Sequence, residues 1–317
     1  MPPPEPALLE RVRAEGLIDR QGQLLVLLSG GRDSVCLLDL AVRARGSKAV
    51  RALHLNYGLR AEAGADERHC AELCAGIGVE LEVERPRKPE GAGNLQAWAR
   101  AQRYEAARRI ADSGLAASIA TGHTADDQVE TILYRLASSP SRRALLGMRP
   151  EDGRLVRPLL GTTREETTAY CEARGLAWRE DPSNADPAFA RSRIRHGLLP
   201  EFERLHPAAR ENLLRIAAIL RDEAAVLDEL VAAELRGGGE APPGTIAHAR
   251  YRELGPALRR LVLQRLADEA AGRPLAGAAR FAEQVAGLRP TGGARLDLGG
   301  GVQAVVERGV LRAERDS

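Results

Sequence analysis

Residues 24–34 read LLVLLSGGRDS, and the fold class can be predicted from this segment outward. Its first five residues form a fully apolar run, which is typical of a strand buried on both faces. Ser29, Gly30 and Gly31 then predict a tight turn, and residues 34–45 carry apolar side chains at helical spacing. Adjacent glycines allow a sharp turn, and the amide groups at a helix start favour an anion. The stretch therefore predicts a strand, an anion-binding turn and a helix.

The alternation of strand and helix patterns continues through the first half of the chain. Strands separated by helices of ten or more residues indicate βαβ units, so the predicted fold class is α/β, a Rossmann-like parallel sheet with flanking helices. Ligands bind beyond the carboxyl ends of such strands, and polar turns follow the predicted strands at 29–31, 56–58 and 121–123. The further predicted strands lie near 50–56, 81–84 and 117–120, and the further helices near 62–75, 95–112 and 125–136.

The pattern changes after Pro200. A long helix is predicted over about 207–235, followed by shorter helices, and the tail alternates in β-like runs around glycines, as in a small hairpin or meander. We therefore predict two domains. The first is a catalytic domain over residues 1–205, and the second is a smaller, mainly helical domain over 206–317 with a short β-rich tail.

The composition is that of a globular chain. Hydrophobic residues make up 44% of the 317 residues, but no run approaches the roughly 18 apolar residues of a membrane span. The N-terminus lacks the pattern of a signal peptide, so we expect a cytoplasmic protein without a membrane partner. The net charge of +2 gives no overall signal for nucleic acid. None of the four cysteines forms a C-x-x-C pair, and the spacing of Cys70 and Cys74 predicts two packed thiols on one helix face.

The turn at 29–34 is the first candidate site. The hydroxyl groups of Ser29 and Ser34 add donors that suit a phosphate, although neither G-x-x-x-x-G-K-[ST] nor G-x-G-x-x-G is present. The alternative is an ordinary strand-to-helix turn, in which Asp33 faces the positive end of the helix dipole.

Residues 121–131, TGHTADDQVET, form the second candidate site. Thr124 followed by Asp127 resembles a capping box at a helix start, and Asp126 and Glu130 lie one turn apart on one face. Hard carboxylate oxygens suit Mg²⁺ and the handling of ATP. The alternative is simple capping by Asp127, with solvated carboxylates beside it.

These motifs resemble those of a known family. Ser-Gly-Gly-x-Asp-Ser after the first strand is similar to the signature of the N-type ATP pyrophosphatases, which split ATP into AMP and pyrophosphate to adenylate a carbonyl oxygen. Within that superfamily, residues 24–200 resemble the tRNA(Ile)-lysidine synthetases. Their His-x-x-Asp-Asp-Gln-x-Glu-Thr run is matched at His123, Asp126, Asp127, Gln128, Glu130 and Thr131.

The resemblance implies roles for several residues, with ATP and Mg²⁺ as cofactors. Arg103, in an Ala-Arg-x-x-Arg-Tyr motif, would meet the ATP phosphates or the adenylated base. Asp33 and Asp127 would be Mg²⁺ ligands. Asp126 or Asp127 would handle the metal or position the lysine amine. The sequence does not assign either role to one of the two residues. The implied ATP-binding residues are Ser29, Gly30, Gly31, Arg32, Asp33, Ser34, His54 and His123.

Two arginine-rich stretches are candidate tRNA contacts. Residues 135–164 hold seven arginines against two acids, a local charge of +5, and residues 191–196 hold three arginines. The alternative is solvated surface arginine. The family's Asp-x-Ser-Asn and Arg-Asn-x-Ile-Arg motifs resemble the sequence at 181–184 and 191–195, with Ser192 in place of the asparagine. The predicted tRNA-binding residues are Arg142, Arg143, Arg191, Arg193 and Arg195.

One loop departs from the family. The family's glycine-rich loop leads to Gly-Leu-x-Gly-Met, and this chain matches it at Leu145, Gly147 and Met148. The earlier glycine positions carry Ser139, Ser141 and Ala144, and Pro140 stiffens the loop further. The expected effect is on engagement of the nucleic acid and not on the ATP site.

The resemblance implies a ligase that acts on the tRNA(Ile) with anticodon CAU. The wobble cytidine would be adenylated at its C2 oxygen, and free L-lysine would then displace AMP and leave lysidine. The alternatives are a tRNA thiolation enzyme of the same superfamily, a small-molecule amidating ligase, and a non-catalytic tRNA-binding homologue. We expect the second domain to grip the tRNA. The sequence leaves the oligomeric state open, a homodimer included.

Overall fold

The computed structural model describes residues 5–59, 61–87, 95–138, 142–180, 186, 188–237, 242, 244–289 and 293–316. Six residues of the sequence motifs lie outside these ranges: Ser139, Pro140, Ser141, Asp181, Ser183 and Asn184. The side chain of Arg143 also lies outside the described part of the structure. The chain divides into two compact units, Met1–Ala217 and Ala218–Ser317.

The first unit alternates strands and helices as the sequence predicts. Each predicted strand and helix up to residue 138 is present, with ends that differ by a few residues at most. The elements are α1 (Glu5–Ala14), β1 (Leu24–Leu27), α2 (Arg32–Arg45), β2 (Val50–Leu55), α3 (Ala63–Ile77), β3 (Glu80–Glu84), α4 (Leu95–Asp112), β4 (Ser118–Ala120) and α5 (Ala125–Ser138). After these come α6 (Arg142–Leu145), β5 (Glu151–Asp152), β6 (Leu155–Val156), α7 (Arg164–Ala173), α8 (Ala190–Arg193), α9 (Leu199–Leu205) and α10 (Ala209–Gly237).

The six strands form one sheet in the order β3-β2-β1-β4-β6-β5. All neighbouring pairs are parallel except β5 with β6. β1 lies at the centre, with Leu24 opposite Val50 of β2 on one side and Ser118 of β4 on the other. The strand order reverses between β1 and β4, and such a reversal opens a crevice at the carboxyl edge of a sheet.

Both faces of the sheet are covered, which explains the unbroken apolar run in β1. Leu24 and Val26 pack in a core with residues of α1, α2, α3 and α7. Leu25 and Leu27 point to the opposite face and pack in a second core with residues of α4, because successive side chains of a strand alternate between faces. As predicted, Cys70 and the nearby thiol of Cys74 lie buried on α3, and all four cysteines are free.

The second unit combines helices with an antiparallel sheet. The predicted β-rich tail forms three strands, β8 (Ala294–Gly299), β9 (Val302–Glu307) and β10 (Val310–Arg315), and the short β7 (Ile246–Ala247) adds a fourth in the order β7-β10-β9-β8. This sheet packs in one core with residues of α11 (His248–Glu253), α12 (Pro256–Ala271) and α13 (Ala282–Ala286). Each helix in the described ranges is too short or too polar to span a lipid bilayer.

Candidate active site

The turn between β1 and α2 is closed by its two serines. The Ser34 hydroxyl donates to the Gly31 carbonyl at 2.8 Å and accepts from the Ser29 amide at 3.2 Å. The Ser29 hydroxyl accepts from the Gly31 amide at 3.3 Å and lies 3.1 Å from the Ser34 hydroxyl. Gly30 adopts a φ of +83°, a left-handed conformation that favours glycine. The turn therefore presents hydroxyl groups at a helix start, where an anion is stabilised.

The turn after β4 packs directly against the start of α2. A Cβ atom on Gly122 would lie 2.9 Å from the carbonyl carbon and oxygen of Asp33 and 3.0 Å from the Ser34 nitrogen. Only a glycine allows this approach without a shift of the backbone. The two stretches that the sequence singled out therefore meet at the carboxyl edge of the sheet.

Asp33 contacts a helix that the sequence analysis did not predict. Its Oδ1 accepts from the Thr167 hydroxyl of α7 at 2.6 Å and from Nε of Arg32 at 3.1 Å. α7 begins with a capping box between Thr163 and Glu166, a local signal that could have revealed the helix. Asp33 is thus held at the turn by a neutral donor and a cation.

His54 lies beneath the turn and not on its surface. It is only 4% exposed. Its Nδ1 lies 2.9 Å from the Leu28 carbonyl and 3.4 Å from the Cys70 sulfur. These contacts connect the end of β2 to the end of β1, so the placement of His54 is that of a support for the turn.

His123 lies at the end of β4 as a neutral side chain. Its Nδ1 is 2.8 Å from the Thr121 hydroxyl. Burial, helped by the cations of Arg157, Arg100 and Arg191 and opposed by Asp127, lowers the pKa of His123 to about 4. At neutral pH this imidazole can therefore contact a nucleotide without adding a charge.

A buried cluster of acids and arginines begins at the first turn of α5. Asp127 closes the predicted capping box, since its Oδ2 accepts from the Thr124 amide at 3.0 Å. Its Oδ1 accepts from Nη2 of Arg164 at 2.7 Å, and the positive charge of Arg164 helps to hold the pKa of Asp127 below its usual value against the effect of burial. Glu130, 1% exposed, accepts from Nη1 of Arg164 at 3.0 Å and from Nε of Arg195 at 2.7 Å.

Asp126 is bound on both of its oxygens. Oδ2 accepts from the Arg164 amide at 2.8 Å, and Oδ1 pairs with the guanidinium of Arg210 at the start of α10. The side chain of Asp126 is 6% exposed, whereas that of Asp127 is 20% exposed. Asp126 and Glu130 share a face, as predicted, and Arg164 binds both. Neither Arg164 nor Arg210 could be singled out from the sequence, because their partners are distant along the chain.

Arg103 is connected to the carboxyl edge of the sheet by its contact with Tyr57. Its Nε lies 3.4 Å from the Tyr57 hydroxyl, which in turn donates to the Ala99 carbonyl at 2.9 Å. Tyr57 follows β2. Arg100, which precedes Arg103 on α4, has its guanidinium carbon 4.8 Å from the centroid of the Tyr104 ring. The motif around Arg103 is therefore directed towards the turn after β2.

The arginines predicted to bind tRNA have different surroundings. Arg191 is exposed, and Arg193 is exposed with its Nη1 donating to the Ala188 carbonyl at 2.9 Å. Arg142 is half-buried at the start of α6. Arg195 is not a solvated surface arginine, because it forms a bidentate pair with the buried Glu130.

The residues that match the family after the altered loop are firmly packed. The Gln128 side chain accepts from the Met148 amide at 2.6 Å and donates to the Met148 carbonyl at 2.9 Å. A Cβ atom on Gly147 would lie 2.6 Å from the Gln128 side chain, and Gly147 has a φ of +61°. Gln128 therefore anchors this segment to α5.

The acidic residues fit a metal that is shared with a phosphate ligand. Among the described residues, no group of three His, Cys, Asp or Glu side chains is placed to hold a metal ion. Mg²⁺ is commonly held by one or two carboxylates together with substrate phosphates. Asp33, at the phosphate-type turn, suits that arrangement better than Asp127, whose oxygens both carry contacts from Thr124 and Arg164.

Comparison with known proteins agrees with this geometry. The model of the PP-loop domain matches residues 7–202. The chain is 38% identical to a tRNA(Ile)-lysidine synthase of Thermus thermophilus over 293 residues, which cover 91% of this chain and 56% of that protein. It is 37% identical to a tRNA(Ile)-lysidine synthase of Salinispora arenicola over 316 residues, or 94% and 93% of the two chains.

A solved structure agrees with the fold. The U34-tRNA thiolase NcsA of Methanococcus maripaludis, solved with its [4Fe-4S] cluster, covers 68% of this chain and 78% of its own, with a TM-score of 0.57 and 17% identity. At that identity the likeness concerns the fold alone. The chain spans little more than half the length of the Thermus relative but nearly the whole of the Salinispora one. With the PP-loop domain over most of its length and this similarity along nearly all of it, the chain belongs to the tRNA(Ile)-lysidine synthase family of PP-loop proteins.

Proposed function

We propose that this protein is an ATP-dependent ligase that modifies the wobble cytidine of the tRNA(Ile) with anticodon CAU. It would adenylate the C2 oxygen of the base and then join lysine to C2, with release of pyrophosphate and AMP. One observation carries the proposal: the hydroxyl-lined turn at 29–34 and the acid–arginine cluster of α5 meet at one sheet edge, through Gly122 and Asp33. The free, buried thiols suit a reducing, cytoplasmic setting.

In the first step, the C2 oxygen of the cytidine attacks the α-phosphorus of ATP and pyrophosphate leaves. Ser29, Ser34 and the amides at the start of α2 would bind the phosphates, where the helix dipole offsets their charge. Arg103 would provide a fixed cation near the reacting phosphate. Mg²⁺, when bound, neutralises phosphate charge, and Asp33 is the side chain that we propose to hold it.

In the second step, the ε-amine of lysine attacks C2, and AMP leaves with the former C2 oxygen. The amine must first lose the proton of its ammonium form to solvent, and it loses a second proton to solvent once the bond to C2 has formed, since the lowered pKa of Asp127 makes that carboxylate a weak base. Asp127 is the more exposed of the two adjacent acids, and its pKa is lowered. We therefore assign the orientation of the lysine amine to Asp127. Asp126, whose side chain is only 6% exposed and is bound by the Arg164 amide and the Arg210 guanidinium, is a positioning residue.

The alternative of sulfur transfer finds less support among the side chains. A thiol must ionise to act as a nucleophile. Burial raises the pKa of Cys70 to about 12 and that of Cys74 to about 11, and the neighbouring Cys171 and burial raise that of Cys36. These thiols therefore remain protonated and enclosed at neutral pH.

The test is incorporation of radiolabelled lysine into tRNA in the presence of ATP and Mg²⁺. One transcript carries CAU and a second carries uridine at the wobble position. Asp33→Asn removes the proposed metal ligand, and Asp19→Asn, at an exposed ion pair with Arg13, makes the same change of charge away from the turn. Lysine should enter the CAU transcript alone, with wild type and Asp19→Asn but not with Asp33→Asn. Failure of the wild-type protein to incorporate lysine would overturn the proposal.

A further inference from the structure

A cavity of about 690 Å³ lies beside α4, outside the turn at 29–34. One wall is the face of α4 that carries Arg100, Ala101 and Tyr104, and the other includes Ile119 of β4 and Leu155 of β6. The α4 helix covers the sheet over β1, β2 and β4, and the cavity lies further along, towards β6 and β5. The cavity therefore has an apolar floor between a helix and a sheet edge.

Arginine dominates the charge of this cavity. Four arginines line it, against Asp112 and Asp152. Asp112 already pairs with Arg154 at 2.9 Å. Burial lowers the pKa of Arg100, and the nearby cations of Arg191, Arg103 and Arg157 lower it further. Such crowding of like charges is unfavourable in the free protein and is relieved when an anion binds.

Two side chains that line the cavity also hold buried polar atoms without a hydrogen-bond partner among the described residues. Arg157 is 5% exposed, and its Nη1 donates to the Arg149 carbonyl at 2.5 Å, but its Nε has no partner. The buried hydroxyl of Tyr104 has none either. A native protein rarely leaves buried polar groups unsatisfied without a reason, and both of these atoms belong to side chains that line the cavity.

The cavity adjoins the edge at which we place the reaction. Arg157 directly follows β6, and the Thr121 amide donates to the Val156 carbonyl at 3.1 Å, which aligns the end of β6 with the end of β4. His123 follows β4, and the positive charges of Arg157 and Arg100 both lower its pKa. An occupant of the cavity would thus lie next to the proposed ATP and cytidine site.

We propose that this cavity binds a nucleotide next to the modified cytidine, with its phosphate on Arg100 and Arg157 and its base against Tyr104 and the apolar floor. Single-stranded RNA is bound in this way, by cations along the backbone and by stacking on aromatic rings. The inference rests on the proposed function, since it assumes an RNA substrate. The phosphates of ATP share the same chemistry, so the test separates the two sources.

Two variants probe the cavity. Arg100→Gln removes a cation, and Ala101→Trp fills the space without removing an arginine. Arg13→Gln, on α1 and in an exposed ion pair with Asp19, is the control with the same change of charge. Affinity for the CAU transcript is measured by filter binding at several salt concentrations, affinity for ATP by calorimetry, and folding by circular dichroism.

We expect Arg100→Gln and Ala101→Trp to bind the transcript about tenfold more weakly and to bind ATP as the wild type does. For Arg100→Gln, the slope of log affinity against log salt should fall by about 0.7, the value for one phosphate contact in single-stranded nucleic acid. Arg13→Gln should change neither. A transcript that lacks the base next to the wobble position should bind the wild type more weakly than the complete transcript does. The Ala101→Trp protein should bind both transcripts with the same affinity.

Two results would overturn the inference alone: wild-type modification of the transcript with unchanged RNA affinity in folded Arg100→Gln and Ala101→Trp, or a loss of ATP affinity without a loss of RNA affinity. A wild-type protein that binds and modifies no tRNA would instead overturn the proposed function.

Discussion

Arg164 is the residue on which the acids of α5 converge. Its guanidinium contacts Asp127 and Glu130, and its amide binds Asp126. Since the side chain of Glu130 is 2% exposed, loss of Arg164 would leave a buried charge with less compensation, and such losses are costly.

We expect Arg164→Gln to lower the free energy of unfolding by about 3 kcal/mol, measured by urea denaturation. Adding Glu130→Gln should restore part of the loss, because it removes the charge that Arg164 had compensated. Arg215→Gln, in an exposed pair with Glu211, is the matched control and should cost less than about 0.5 kcal/mol. Equal losses in the two arginine variants would show that the cluster has no special role in stability.

The two adjacent acids should separate in experiment. Asp127→Asn should reduce kcat for lysine incorporation by at least about 100-fold, with only a small fall in the urea midpoint, because its side chain is more exposed than that of Asp126 although it pairs with Arg164. Asp126→Asn should lower the urea midpoint more, since it weakens the contact of a buried carboxylate with the guanidinium of Arg210. A stable, inactive Asp126→Asn protein beside an active Asp127→Asn protein would reverse the assignment.

At this scale, short-range patterns could be predicted and long-range partners could not. The bond between Thr124 and Asp127 follows from a spacing of three residues at a helix start, and it is present. Thr167 and Arg164 lie far along the chain from Asp33 and Asp127, so no local pattern identifies them. A single histidine at a strand end did not reveal that His54 faces the Leu28 carbonyl.

Among the elements, length and periodicity determined what could be predicted. The helices α2 to α5 and the strands β1 to β4 repeat apolar residues over enough positions to be recognised, whereas α1 was not predicted. β5 and β6 have two residues each, too few for any periodicity, and α7 carries only three buried side chains. The site depends on these unpredicted elements, since α7 supplies Thr167 and Arg164, and Arg157 follows β6.

The contact between the turn after β4 and the start of α2 gives a prediction about elements. Gly122→Ala places a Cβ against the Asp33 backbone, so the two must separate. We expect a loss of about 1–3 kcal/mol in stability together with weaker ATP binding by calorimetry. Gly76→Ala, inside α3 with no atom near its Cβ position, should add about 0.5–1 kcal/mol and leave ATP binding intact. Normal ATP affinity in Gly122→Ala would show that this approach does not shape the turn.

Across the whole chain, the division into two units falls within a helix. The sequence pattern predicts a boundary near 205, where the strand–helix alternation ends. α10 runs through the observed division: Leu213 packs with Val129 and Ile132 in the first unit, and Val231 packs in the core of the second. A continuous amphipathic helix carries no change of composition at such a point, so its sequence does not reveal that its two ends belong to different cores.

The protein's stability as a whole should fall in alkaline solution. The thiols of Cys70 and Cys74 ionise near pH 9.0 when exposed, but burial raises their pKa values to about 12 and about 11. Below pH 9 both states are protonated and the stability is fully present. Above it the unfolded chain loses protons that the folded chain keeps, so stability is lost as pH rises, by up to about 1.4 kcal/mol per pH unit for each thiol.

Tryptophan fluorescence reports on the first unit, because both tryptophans, Trp98 and Trp178, belong to it, as do these cysteines. Urea midpoints measured with reductant should be level from pH 7.5 to 8.5 and should fall by pH 10. Cys74→Ala removes one of the titrating groups, so its midpoint should fall less steeply over the same range. Equal slopes in the two proteins would mean that the Cys74 thiol ionises as readily in the folded unit as in the unfolded chain.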